Sequence, residues 1–172
     1  MSQSNNIYLA LSKIMVAYSN FVIKEASSKL RIEELLKIIA EINATKGNTV
    51  QIFNPGMVIG EMHLAGAYMN AVAAFKSHTN ISKSIAAEML LFTAMTRQIN
   101  EAIKLVGVKS NKNFVLFASS KSAYGKAKGL LYRVKEYKAP GGHSMATAKK
   151  FGIDAKGDLD LFVLQKITMS RL

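Results

Sequence analysis

The sequence has no cysteine and no tryptophan, only two prolines, and 11 acidic residues against 23 basic ones. The absence of cysteine excludes disulfides, thiolate zinc sites, iron–sulfur clusters and cysteine nucleophiles together, and nothing points to an oxidising compartment. Long hydrophobic runs are missing too. The longest uncharged stretches, Gly47–Gly60 and Met62–Phe75, are 14 residues each, short of the roughly 18–20 apolar residues that a spanning helix needs. The start, Met1-Ser-Gln-Ser-Asn-Asn, has no positively charged region and no cleavage pattern, so a signal peptide is not expected. The expectation is a cytoplasmic protein with no membrane partner.

What is present is enough for one core. Of 172 residues, 49% are hydrophobic and 20% charged, which fits a single domain over residues 1–172. The net charge of +12 is uneven: +2 over Met1–Met57, +2 over Val58–Ser110, +8 over Asn111–Lys150 and zero over Phe151–Leu172. In the basic stretch, lysines are interleaved with Tyr124, Tyr132 and Tyr137. It reads either as a solvated surface that favours lysine or as a surface facing a polyanion, RNA before lipid.

Periodicity places the elements. Ile7–Ser12 and Met15–Ile23 read as one or two strands. Ile32, Leu35, Leu36, Ile39 and Ile42 mark an amphipathic helix over about Arg31–Thr45, ended by Gly47-Asn48. Val50–Phe53 is a short strand stopped by Asn54-Pro55-Gly56. Helices follow at Gly60–Lys76, at Ile81–Ala94 with Asn80 as its cap, and at Ile99–Val106 up to Gly107. Phe114–Phe117 is a buried strand, Ser120–Lys128 a weak helix, Leu130–Tyr137 a strand and Pro140-Gly-Gly a loop. Ser144–Phe151 and Asp158–Met169 close the chain as helices. With no strict β-α-β rhythm, the class expected is α+β, a small and mainly antiparallel sheet packed with several helices.

The inventory of chemistry is thin. Gly125–Gly129 lacks the spacing and the hydroxyl of a phosphate loop. His63, His78 and His143 include no i, i+4 pair, so helix-borne zinc ligation is not indicated. Asp158 and Asp160 suit the start of a helix. No catalytic residue, metal ligand, cofactor or small-molecule substrate is expected. The best enzymatic alternative, a small hydrolase or transferase, rests on helix packing bringing His63 to Glu88, which otherwise reads as a paired carboxylate. Arg97-Gln98 opens a helix, where such groups hold a phosphate or a base edge, or else leave Arg97 paired with Glu101 at i+4. Leu159, Phe162, Val163, Ile167 and Met169 spread over more than one face of the last helix, so one face docks and another is left for a partner.

The central block is more specific: Gln51-Ile-Phe-Asn-Pro-Gly-Met-Val-Ile, His63-Leu-Ala-Gly-Ala-Tyr-Met-Asn-Ala, Ala87-Glu-Met-Leu-Leu-Phe, and Arg97-Gln-Ile-Asn-Glu-Ala-Ile-Lys-Leu-Val-Gly107. It resembles the kinase-binding subunit of the KEOPS complex, the TPRKB family, over roughly Val50–Gly107, with Phe151–Leu172 similar to that family's closing helices. The resemblance implies a non-catalytic regulatory subunit. Its partners would be the small kinase/ATPase subunit and tRNA, recruited through the 3′ CCA end for threonylcarbamoyladenosine modification. It nominates Phe162, Val163, Ile167 and Met169 for the kinase. For RNA it points to Arg97 and Gln98, with His63, Lys76 and Lys83 as neighbours. The alternative in another class is a stand-alone RNA-binding module.

Overall fold

A computed structural model describes residues 20–138, 141–154 and 157–170, at 141–143 the backbone alone. The strand expected at Ile7–Ser12, most of the one expected at Met15–Ile23, and Pro140 lie outside the described residues. Among the described residues four strands form one sheet: β1 (Val22–Ser27), β2 (Val50–Phe53), β3 (Phe114–Ala118) and β4 (Arg133–Glu136). Their order is β2-β3-β1-β4, and every pairing is antiparallel. The helices are α1 (Ile32–Ala44), α2 (Glu61–Lys76), α3 (Ile85–Ala94), α4 (Ile99–Val106), α5 (Lys121–Ala127), α6 (Gly141–Lys150) and α7 (Leu159–Met169). The chain is therefore α+β, as its composition and patterning suggest.

The β-α-β rhythm that the sequence hides is nonetheless there twice. β1-α1-β2 crosses over β3, and β3-α5-β4 crosses over β1, the arrangement of a split β-α-β sandwich. It is masked because α2, α3 and α4 are inserted where a short connection would otherwise join β2 to β3. The two crossover helices share one face of the sheet, where Leu35, Ile39, Ala123 and Ala127 pack on Ala26, Ile52, Phe114 and Leu116. The inserted and C-terminal helices cover the other face, over Ile23, Phe53, Val115 and Phe117. All five side chains of β3 are buried, as a strand sealed on both faces requires. β4 is its opposite, exposed along its whole length.

Local chemistry sets the boundaries. Glu34 accepts the Arg31 N–H at 3.2 Å and the Arg31 guanidinium at 3.1 Å, fixing the start of α1. Leu36, although in phase with the apolar stripe, stays exposed. Beyond α1, Gly47 takes a φ of +83°. The Asn43 amide then bonds both the N–H and the carbonyl of Val50 (2.7 and 2.9 Å) and starts β2. Asn54-Pro55-Gly56 stops that strand by forming a 3₁₀ turn, Pro55–Met57.

Three boundaries differ from the periodicity. The second inserted helix begins at Ile85 and not at Ile81. Ser84 is its cap, accepting the Ala87 N–H at 3.2 Å, while the Asn80 amide donates to the Ser82 carbonyl. The last strand is only Arg133–Glu136, because Lys128–Leu130 coils into a 3₁₀ turn. Gly141 and Gly142 lie in α6 and not in a loop. Burial of Thr147, Ala148 and Phe151 docks that segment, and tertiary packing outweighs weak glycine propensity.

Two glycines mark close approaches. A side chain at Gly66 would overlap a Leu164 methyl where α2 meets α7, and one at Gly107 would overlap the Ile103 carbonyl oxygen. Leu164 can rotate away, whereas the backbone of α4 cannot. Gly107→Ala should therefore destabilise the fold by about 1–3 kcal/mol, while Gly129→Ala, with open space around it, should stay within about 0.5 kcal/mol. Urea denaturation of the two variants checks this, and equal midpoints would contradict the packing described.

Candidate functional site

The inserted helices place the sequence-nominated residues in different environments. α2 and α3 pack antiparallel, and α3 is apolar around nearly its whole circumference, with Glu88–Ala94 buried without interruption. His63, in the first turn of α2, is fully buried. Its Nδ1 accepts the Ile59 N–H at 3.2 Å, which makes Nε2 the protonated nitrogen, donating to the Thr93 carbonyl at 3.0 Å. That carbonyl lies in the last turn of α3, where helix carbonyls lack a partner. Phe151 closes the pocket edge-on, its ring 5.4 Å away. Burial pushes the His63 pKa down to about 4, against a smaller upward pull from the Thr93 bond. His63 thus joins two helices inside the core and is out of reach of a nucleotide, which corrects its nomination for RNA.

Glu88 is equally buried. Its carboxylate accepts the N–H groups of Ile81 (3.1 Å) and Ser82 (2.7 Å) and the Ser82 hydroxyl (2.7 Å). It is the paired carboxylate of the structural reading, and it pins the turn that keeps α3 from starting earlier. Both ring nitrogens of His63 are committed to the backbone, so the two groups do not form the acid–base pair that an enzymatic reading needs. Among the described residues no group of three or more His, Asp or Glu side chains could hold a metal ion.

The other RNA candidates fall into two groups. Arg97 and Gln98 sit between α3 and α4, near the N-terminal end of α2, while Lys76 and Lys83 flank the turn at its other end. The groups are roughly 20 Å apart, at about 1.5 Å per residue of α2. All four residues are exposed. Glu101 does not pair with Arg97: it accepts the Thr96 hydroxyl at 2.9 Å. Arg97 has no ion pair among the described residues. Beside it, Ile99 and Ile103 project outward from α4, one turn apart and exposed.

The last helix also divides. Asp158 caps α7, accepting the Leu161 N–H at 3.2 Å, as its position suggests. Val163 and Ile167 are fully buried in the main core, so neither touches a partner directly, which corrects their nomination for the kinase. Phe162 and Met169 are 42% and 57% exposed. They border a groove of about 420 Å³ that also takes in Gly152–Asp154, Gln165 and Lys166.

One cluster was not legible. Asp160 faces Glu61 across a cleft of about 540 Å³ that also includes Tyr137 and Lys138. Burial raises the pKa of both carboxyls, aided at Glu61 by Glu136 and Asp160 and at Asp160 by Asp158. Burial likewise pushes the Tyr137 phenol up to about 12, and its hydroxyl donates to the Val58 carbonyl at 3.3 Å. Glu61 and Asp160 are 99 residues apart in sequence, so no spacing announces them.

The family model described as Kinase binding protein CGI-121 matches residues 31–139. The match runs from the cap of α1 past β4 and takes in the basic segment up to residue 139, outside the Val50–Gly107 stretch that carries the motif resemblance; α7 lies beyond it. No curated protein sequence matches the chain. No helix among the described residues is long and apolar enough to cross a membrane.

The buried imidazole sets a pH dependence. Below its ordinary pKa of 6.5 the unfolded chain takes up a proton that folded His63 refuses until about pH 4. Its contribution to stability is therefore complete above pH 6.5 and is lost as the pH falls to 4, by about 3 kcal/mol. Denaturation of the native chain and of His63→Leu across this range should show the difference between them narrowing by about that amount; a constant difference would contradict a buried neutral imidazole.

Proposed function

This chain belongs to the CGI-121 family of kinase-binding proteins, and on that premise we propose that it is a non-catalytic regulatory subunit of the KEOPS complex. In this reading it binds the small kinase/ATPase subunit and helps recruit tRNA, through the 3′ CCA end, for threonylcarbamoyladenosine modification in the cytoplasm. The family match carries the reading, and the surface of α7 is consistent with it. A protein contact needs apolar anchors with a polar rim. Phe162 and Met169 supply the anchors and Asp154, Gln165 and Lys166 the rim, while Val163 and Ile167 hold the helix to the core from behind.

The RNA part rests on the exposed group at the start of α4. A single-stranded end asks for cations along its backbone and apolar surface under its bases. Arg97, without an ion pair among the described residues, offers both in one place together with Gln98, Ile99 and Ile103. Lys76 and Lys83, at the far end of α2, add attraction for the tRNA body, not a grip on the same nucleotides.

Co-purification with the kinase subunit tests the first part. Phe162→Asp combined with Met169→Asp should weaken the complex by roughly 30-fold or more while circular dichroism stays unchanged. Ile167→Arg, which puts a charge into the core, should instead lower stability. For the second part, tRNA binding should weaken linearly with salt on logarithmic axes, and should drop on removal of the CCA end and in Arg97→Glu. A chain that binds tRNA but no kinase would be the stand-alone RNA-binding module.

A further inference from the structure

The three tyrosines of the basic stretch have different fates. Tyr137 is buried with its hydroxyl bonded to Val58. Tyr124 is half-buried against the face covered by α1 and α5. Tyr132 alone is open, 55% exposed, on the strand end that enters β4. Its N–H donates to the Ser27 carbonyl at 2.8 Å, which ties the backbone beneath it to β1. Val134, two residues on and on the same face by strand alternation, is 43% exposed although its cross-strand neighbour Ala26 is buried. The helical layer of α1 and α5 therefore stops short of β4, and among the described residues a strip of sheet face is left bare.

The two charges that stand against the Tyr132 ring are both positive. The Lys29 ammonium sits 4.2 Å from the centre of the Tyr132 ring and the Arg133 guanidinium 5.6 Å from it. Further along the same strands, Lys24 pairs with Glu136 and Lys135 with Glu25. Lys29 and Arg133 have no ion pair among the described residues. Lys128 is exposed just before the strand. Cation–ring contacts hold the ring in place and keep two uncompensated charges beside it.

We propose that Tyr132 and Val134, flanked by Lys29 and Arg133, form a stacking platform for an unpaired base of single-stranded RNA. The inference rests on the RNA-recruiting reading above and adds a second contact, on the opposite side of the sheet from the inserted helices. A base lies on the ring and over Val134. Lys29, long and exposed, transfers to one neighbouring phosphate, and Arg133 takes another. An aromatic ring on a bare strip of sheet with cations beside it meets the two needs of single-strand binding, a π-face and backbone neutralisation. An acidic peptide would use the charges and ignore the ring.

Fluorescence anisotropy of the full chain with a labelled, unstructured 12-nucleotide RNA tests this, with duplex RNA of the same length and polyglutamate as competitors. Tyr132→Ala should weaken single-strand binding roughly 5- to 100-fold, and Tyr132→Phe should bind like the native chain. Lys29→Gln and Arg133→Gln should each reduce the salt slope by about one. An unchanged Tyr132→Ala, a Tyr132→Phe as weak as Tyr132→Ala, or competition by duplex or polyglutamate as effective as by single strands would overturn the platform. If tRNA binds Tyr132→Ala with native affinity, this platform falls and the role at the start of α4 stands. If the native chain binds neither tRNA nor the oligonucleotide, both fall.

Discussion

Burial of β3 on both faces is the constraint from which the rest of the architecture follows. A strand reading Phe-Val-Leu-Phe-Ala has no side to give to water, so helices must lie above and below it. The two crossover connections provide one layer, α1 and α5. They cannot provide the other, because both cross on the same face, and the insertion between β2 and β3 fills that role. α2 and α3 are consequently apolar nearly all round, since each meets the sheet or another helix on several sides. Within that layer a neutral imidazole joins the start of α2 to the end of α3, and Glu88 fastens the turn at the other end of the pair. Both helix ends are thus tied by side chains that a surface reading would have taken for ligands.

The elements that periodicity identifies well are those whose partners are close in sequence or whose pattern has one meaning. The stripe of α1 and the run of β3 are of this kind. The start of α3 is not, because Glu88 reaches back to Ile81 and Ser82, a contact that propensity does not encode. His63 could not be assigned from its neighbours, since its partner is a carbonyl thirty residues away. In α7, Phe162, Val163, Ile167 and Met169 are all apolar, and only the position of α2, brought close by Gly66, decides which two are buried. The family, by contrast, was readable from the central motif, because that motif is a set of contiguous residue runs and needs no knowledge of the packing.

Net charge was the most visible feature of the chain and the least specific. The fold spreads the basic stretch over several surfaces and gives part of it partners, ionic or neutral. Lys135 meets Glu25, and Lys150 lies 3.3 Å from the Gly56 carbonyl. What distinguishes the remaining cations is what stands beside them: an open isoleucine pair next to Arg97, an open ring next to Lys29 and Arg133. Charge draws a polyanion from a distance, whereas the neutral surface beside the charge decides whether a base can rest there.

The cross-strand pairs on β4 have a bearing on the protein's behaviour in concentrated solution. A four-residue strand at the rim of a sheet, exposed throughout, offers unpaired backbone groups to the rim of any neighbouring molecule. Here each of the last two positions, Lys135 and Glu136, is locked to an opposite charge on β1. A second chain that aligned its own rim against this one would have to accommodate a row of fixed, hydrated charges at the seam. The strand is also too short to make many bonds in return. Among the described residues, fixed charges on a short strand thus disfavour pairing at the open side of the sheet.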